Sequence, residues 1–162
     1  MLFPSEIISS QYNGDHNEKR ISENGLSGLV VYTFPVQDIP QLFLKNLSTG
    51  ETKQLTNSGD NSDAKFSPDG KQILYLLKTK ENADDIYIMN ADGSNKQALI
   101  ATGADEDFVS WAPDGTKIAF SSDESGSTQI YIMDVNSNEV TKISHSATYA
   151  SVPSWSSDGT IC

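Results

Sequence analysis

Cysteine is almost missing from this chain of 162 residues: one thiol, Cys162, sits at the last position, so no internal disulfide can form. A single thiol also excludes a Cys-rich zinc site. Histidine occurs only at His16 and His145, with no second ligand at metal-binding spacing, and each reads as a solvated loop side chain. Basic residues are scarce, 11 against 22 acidic ones, for a formal net charge of -11. A protein that tracks nucleic-acid phosphates needs a basic stripe, and none is visible, so nucleic acid is not an expected partner. Long apolar runs are missing too. The longest candidates, such as 73–77, are strand-sized, far short of the roughly 18 residues of a membrane-crossing helix. The opening residues, Met1 to Glu6, have neither the positive segment nor the apolar segment of a secretory leader, which fits a cytoplasmic protein or one whose leader has been removed. Finally, no window shows a helical period with caps.

What is present is a modest apolar content, 36%, enough for a core, and a repeat. Phe66-Ser67-Pro68-Asp69-Gly70 returns as Trp111-Ala112-Pro113-Asp114-Gly115 and as Trp155-Ser156-Ser157-Asp158-Gly159, at steps of 45 and 44 residues. Ile86-Tyr87-Ile88-Met89 returns 44 residues later as Ile130-Tyr131-Ile132-Met133, and Leu42-Phe43-Leu44 lies 44 earlier with the same apolar character. Leu55, Leu99 and Ile143 keep the same step, and a weaker first anchor, Ile21-Ser22-Glu23-Asn24-Gly25, precedes Phe66 by 45. Such a period points to a repeat architecture.

Within each period, short apolar runs are bounded by turn residues. The second repeat predicts strands at 65–67, 72–78, 85–90 and 97–100, and the third at 109–111, 117–121, 129–134 and 140–144. Pro68-Asp69-Gly70 predicts the first turn, because Pro presets a negative φ and Gly accepts a positive one; Asn90-Ala91-Asp92-Gly93 predicts the third. Four strands per period describe a propeller blade. The expected fold is therefore all-β, a β-propeller of four-stranded antiparallel blades, with repeat units over 21–65, 66–110 and 111–154, a partial one over 155–162, and a polar tail or donated strand over 1–20.

The motifs Ser67-Pro68-Asp69-Gly70 with 86–93, and 112–120 with 129–134, resemble the WD40-like PD40 repeats of the TolB family of β-propellers. The resemblance covers 21–162 and is strongest in the middle two repeats; in the first, Glu23-Asn24 stands where the motif has Pro-Asp. It implies a ring of about six blades. The sequence supplies about three repeats and stops inside the first hairpin of a fourth, at Ile161-Cys162. Blades bury their faces on their neighbours, so an arc of three predicts open apolar faces. The expectation is a piece of a longer gene product, a ring completed by self-association, or an open array.

Catalytic signatures are missing. Gly25-Leu26-Ser27-Gly28 is one residue short of a G-x-S-x-G elbow and lacks its strand-to-helix context. No phosphate-cradling glycine loop occurs. Acidic clusters draw more attention: Asp60, Asn61 and Asp63 precede the first strand of the second repeat, and Asp105, Glu106 and Asp107 occupy the matching loop of the third. Equivalent propeller loops share a face, so the two would form one negative patch. Three readings are open for it: a solvated rim, a surface for a basic protein segment, or a site for a hard cation such as calcium held by carboxylates. Asn90 to Asn95 lacks the D-x-[DN]-x-[DN]-G spacing of a calcium loop and is better explained as a hairpin turn. Asp84-Asp85 and Asp123-Glu124 are placed in loops, and neighbouring residues at a strand end face opposite ways, which disfavours paired acid-base chemistry. Trp111 and Trp155 replace Phe66 at one repeat position, which assigns them to packing between blades. Tyr87 and Tyr131 follow the same logic. Tyr149 belongs to no matched set and is a candidate surface contact.

TolB-like propellers serve as protein interaction platforms at the bacterial envelope, so the resemblance implies a non-enzymatic scaffold, periplasmic or envelope-associated, needing no cofactor. Its candidate contact residues are Asp60, Asp63, Asp105, Glu106, Asp107 and Tyr149. Similar repeats also form the substrate-gating propeller of prolyl-oligopeptidase-like serine peptidases and some metal-using polysaccharide lyases. The first would require a G-x-S-x-G domain and the second several funnel histidines, and this sequence has neither.

Overall fold

The computed structural model describes residues 21–24, 28–80, 83–145 and 148–162. The expected tail over 1–20, His16 and the Gly25-Leu26-Ser27 segment lie outside the described residues. Twelve strands occur among those described: β1 (Ile21–Asn24), β2 (Leu29–Val36), β3 (Ile39–Asn46), β4 (Thr52–Gln54), β5 (Asp60–Phe66), β6 (Gln72–Lys80), β7 (Ala83–Asn90), β8 (Gln97–Ile100), β9 (Glu106–Trp111), β10 (Lys117–Ser122), β11 (Gln129–Asp134) and β12 (Val140–Lys142). They form three antiparallel meanders of four strands, β1 to β4, β5 to β8 and β9 to β12. These are the propeller blades that the repeat predicts, and among the described residues they form an arc rather than a closed ring.

The second and third blades are stitched by the turns that the repeated motif encodes, and the same turn recurs after Trp155. Gly70, Gly115 and Gly159 take φ of 71, 72 and 83°, a region open to glycine without steric cost. The amide of Gly70 donates to Ser67 O at 2.8 Å, and Ser67 Oγ donates to Asp69 Oδ1 at 2.7 Å, closing the turn around the Pro-Asp-Gly core. The last of these turns, at Gly159, follows Trp155, which pairs with Ile161 in an isolated antiparallel bridge.

The apolar runs are near-continuous because both faces of the middle blade are covered. Ile73, Tyr75 and Met89 face the first blade and pack with Val31, Leu42, Leu55 and Phe66. Their neighbours Leu74, Leu76, Ile86 and Ile88 face the third blade and pack with Val109, Trp111, Ile118, Phe120 and Met133. Alternation along a strand sends successive side chains to opposite faces, so a run such as 73–76 supplies both junctions at once. The tryptophans add a directional bond to this packing. Trp111 Nε1 donates across the junction to Lys65 O at 3.3 Å, and one repeat later Trp155 Nε1 donates to Ser110 O at 3.2 Å.

The structure corrects the strand limits in one respect. β5 begins at Asp60 and β9 at Glu106, so the acidic segments expected to be loops are mostly strand. Asp84, also expected in a loop, belongs to β7 together with Asp85, with which the predicted strand over 85–90 begins. The sequence hides this because polar residues without alternation do not read as strand, yet each segment contains a bulge. Asp63 and Phe108 take φ of 46 and 53°, and the pairing register shifts beside them, between Ser62 and Lys65 and between Ala119 and Ser121. A bulge breaks the period of two while the ladder continues past it. Val152, with φ of 60°, keeps the same repeat step.

Two stability outcomes follow from the junctions. Leu74 is fully buried, so Leu74→Ala should lower the unfolding free energy by about 2–5 kcal/mol, whereas Val140→Ala on the exposed last strand should change it by no more than about 0.5 kcal/mol. Trp111→Phe keeps most of the packing and removes the bond to Lys65 O, for a loss of about 1 kcal/mol. Urea titrations followed by far-UV circular dichroism measure all three.

Candidate interaction face and blade junctions

The acidic residues divide by environment into two sets. One set staples turns. Asp69, Asp92, Asp114, Asp134 and Asp158 accept bonds from hydroxyls or amides two or three residues away, and all five are held below the usual carboxylate range. For Asp158 the Ser156 hydroxyl is the main cause, with the Thr160 amide and hydroxyl next, and the value falls to about 2. Hydrogen bonds to the ionised form lower a pKa. The aspartate of the repeat motif is thus a structural acceptor.

The second set gathers at one end of the blades, where the inner strands β5 and β9 start and the β6–β7 hairpin turns. Asp84 lies there, pushed above its ordinary value by burial first, then by the charges of Asp105 and Asp107, with Asp60 adding to the effect and Lys78 opposing it. The backbone pairing places Asp60 opposite Lys78 and Lys78 opposite Asp84. Asp105 Oδ1 accepts the amide of Asp84 at 3.0 Å, and the Asp105 amide donates to Asp123 Oδ1 at 3.0 Å. The rim of the junction between the second and third blades is therefore a cluster of carboxylates organised by backbone amides.

The candidate contact residues are sorted by this geometry. Asp60 and Asp107 are half-buried at the rim and Asp105 is exposed. Asp63 is buried within β5 and pairs with Lys65 at 3.2 Å; Lys65 Nζ in turn donates to Val109 O of the next blade at 2.6 Å. Glu106 is fully buried. These two acids therefore belong to the junction and not to an exposed rim. Tyr149 is 69% exposed. It follows Asp105 by the same 44 residues that separate Phe108 from Val152, so it stands at the position that Asp60 and Asp105 hold in the preceding repeats. The match is invisible by residue type and emerges from the bulge register. Among the described residues, no group of three or more His, Cys, Asp or Glu side chains is arranged to hold a metal ion, and no helix is long and apolar enough to cross a membrane.

A recurring polar pair also spans the junctions. Gln41, Asp85 and Gln129 occupy one repeat position on the third strand of their blades, at steps of 44, and all three are buried. Asn61 and Glu106, 45 residues apart, are the facing residues on the first strand of the next blade. At the first junction Asn61 Nδ2 donates to Gln41 Oε1 at 3.4 Å, while Gln41 Nε2 donates to Gly59 O at 2.6 Å. At the second, the same places hold two carboxyls. Spacing of 44 and 45 residues in the sequence contained this signal, but only the bulges show which residues face each other.

The fold and this arrangement agree with comparisons to known proteins. A family model for the TolB beta propeller domain, PD40, matches residues 20–162. The Tol-Pal system protein TolB of Francisella tularensis subsp. mediasiatica is 30% identical over 144 residues, which is 82% of this chain and 33% of that protein. Dipeptidyl-peptidase 5 of Porphyromonas gingivalis is 35% identical over 74 residues, 43% of this chain and 11% of that protein. The crystal structure of TolB from Acinetobacter baumannii superposes with a TM-score of 0.72 at 25% identity, covering 86% of this chain and 35% of that one. The chain thus spans about a third of the length of the TolB proteins it matches. With the repeated turn motif, the four-stranded blades and a family match over nearly its whole length, this chain belongs to the TolB β-propeller family of PD40 repeats.

Proposed function

We propose that this chain is part of a non-enzymatic interaction scaffold of the bacterial envelope, and that it receives a basic protein segment on the rim formed by Asp60, Asp84, Asp105 and Asp107. The observation that carries the reading is the mutual proximity of these carboxylates, close enough for three of them to raise the fourth, with Lys78 as the opposing cation. Like charges held together cost free energy that a cationic partner would relieve, and the field of such a cluster steers a basic segment to it. The net charge of -11 adds a long-range attraction of the same sign. Tyr149, the exposed aromatic at the equivalent place one repeat on, supplies an apolar anchor one blade further along. The TolB relatives, named as members of the Tol-Pal system, support placing the chain in an envelope assembly.

A second reading rests on the match to dipeptidyl-peptidase 5, which would make these blades part of a peptidase's substrate-gating propeller. Sequencing the coding DNA downstream of the Cys162 codon separates the two. A G-x-S-x-G domain there favours the peptidase, and further repeats without one favour the scaffold.

Binding to the rim is tested with a synthetic Lys- and Arg-rich peptide by isothermal titration calorimetry at low and at high salt. Asp60→Asn, Asp105→Asn and Asp107→Asn combined should weaken the peptide several-fold and flatten its salt dependence. Tyr149→Ala should weaken it separately. Circular dichroism should stay unchanged in both variants. Undiminished binding by the triple variant would remove the rim as the docking surface.

A further inference from the structure

The pair Asp85 and Glu106 marks a place where the described blade junctions differ in chemistry at equivalent positions. Asp85, on β7, is 6% exposed and Glu106, on β9, is 0% exposed. Two of their four oxygens are satisfied: Thr79 Oγ1 donates to Asp85 Oδ2 at 2.7 Å, and Glu106 Oε1 accepts from Thr102 Oγ1 at 2.6 Å and from Ser122 Oγ at 3.2 Å. Two are not. Asp85 Oδ1 and Glu106 Oε2 are buried and have no donor. Two ionised carboxylates can only accept, so facing each other they leave both atoms unpaired at a substantial cost. A single proton repairs this, because a protonated Glu106 becomes a donor to Asp85. The first junction reaches the same end without a proton, through the amide of Asn61 donating to Gln41.

We propose that Asp85 and Glu106 form a one-proton latch between the second and third blades, closing the junction while they share the proton and loosening it when the proton leaves to solvent. The electrostatic surroundings act in the same direction. Burial is the largest influence on Glu106 and raises it; the Thr102 and Ser122 hydroxyls oppose this, the charge of Asp85 and the bond to it add to it, and the result is about 7. The charged groups around the pair are Asp84 on β7, Lys78 on β6, Asp60, Asp63 and Lys65 on β5, Asp105 and Asp107 beside Glu106, and Asp123 and Glu124 after β10. Acids outnumber bases among them, and the two lysines are engaged elsewhere: Lys65 with Asp63 and Val109 O, Lys78 within the field of Asp84. The amide of Asp84, next to the latch, spans the same junction by donating to Asp105 Oδ1.

The sign of the effect is fixed by the direction of the shift. Glu106 keeps its proton in the folded chain to about pH 7, whereas unfolded it loses the proton near 4.5. The latch contributes fully below about 4.5, and its contribution falls between about 4.5 and 7 and is gone above that. In that window each pH unit reduces the folding equilibrium constant by up to about tenfold.

The experiment uses the full 162-residue chain. Carboxyl carbon NMR of the unsubstituted protein should place the Glu106 midpoint well above the ordinary glutamate range; a midpoint at the ordinary value overturns the latch. Thermal midpoints taken from pH 4.5 to 8 should fall in the unsubstituted chain, and Glu106→Gln should remove that part of the fall. Parallel profiles for the two overturn it. If Glu106→Gln does not fold, the paired variant Asp85→Gln with Glu106→Asn, which copies Gln41 and Asn61, takes its place. Hydrogen exchange reads the loosening directly: the protection factor of the Asp84 amide should drop several-fold from pH 5 to 8 in the unsubstituted chain and stay level in the variant. Constant protection in both overturns the claim that the junction loosens.

Discussion

Everything in this molecule depends on sheets burying their faces against one another. A four-stranded meander has two faces and too little of its own interior to cover either, so a blade is stable only between neighbours. The middle blade shows the consequence most clearly. Its strands β6 and β7 place alternate side chains into two separate cores, and its residues 73–76 are all buried although they follow one another in sequence. Contacts between adjacent repeats, and not within one sheet, hold the arc together.

Polar groups are admitted to these junctions only under tight conditions. Trp111 and Trp155 each find a backbone carbonyl on the preceding blade, Lys65 reaches from Asp63 to Val109 O, and Asn61 donates to Gln41, which donates in turn to Gly59 O. The aspartates of the turn motifs are satisfied locally by amides and hydroxyls, which keeps them ionised and ties each hairpin. Negative charge gathers at the end of the blades where Asp60, Asp84, Asp105 and Asp107 meet. An acidic composition thus resolves into three separate physical roles: turn stapling, junction bonding and a charged rim.

The architecture was legible because the repeat carries its own punctuation. Pro68-Asp69-Gly70 and its later copies announce turns, and apolar runs of matching spacing announce strands between them. Residue-type matching also assigned the tryptophans to the junctions. It failed at the start of each inner strand. There a left-handed residue, Asp63 or Phe108, interrupts the alternation that marks a strand, so buried Asp63 and Glu106 read as surface acids. Tyr149 was unmatched for a related reason: its counterparts are aspartates, and equivalence of place does not require equivalence of type.

By itself, then, the sequence determined the period, the four strands per unit, the turns and the family, because each is a local pattern of steric and apolar preferences repeated at 44 or 45 residues. It also determined the excess of negative charge. Tertiary structure decided which of those charges face water and which face another blade. Burial and pairing are properties of a surface brought in from an adjacent repeat, about 20 residues away for Asp85 and Glu106, and no local pattern encodes what that surface will present. The same two positions hold an amide pair at one junction and an acid pair at the next, and only their apposition across the blades gives that difference a physical meaning.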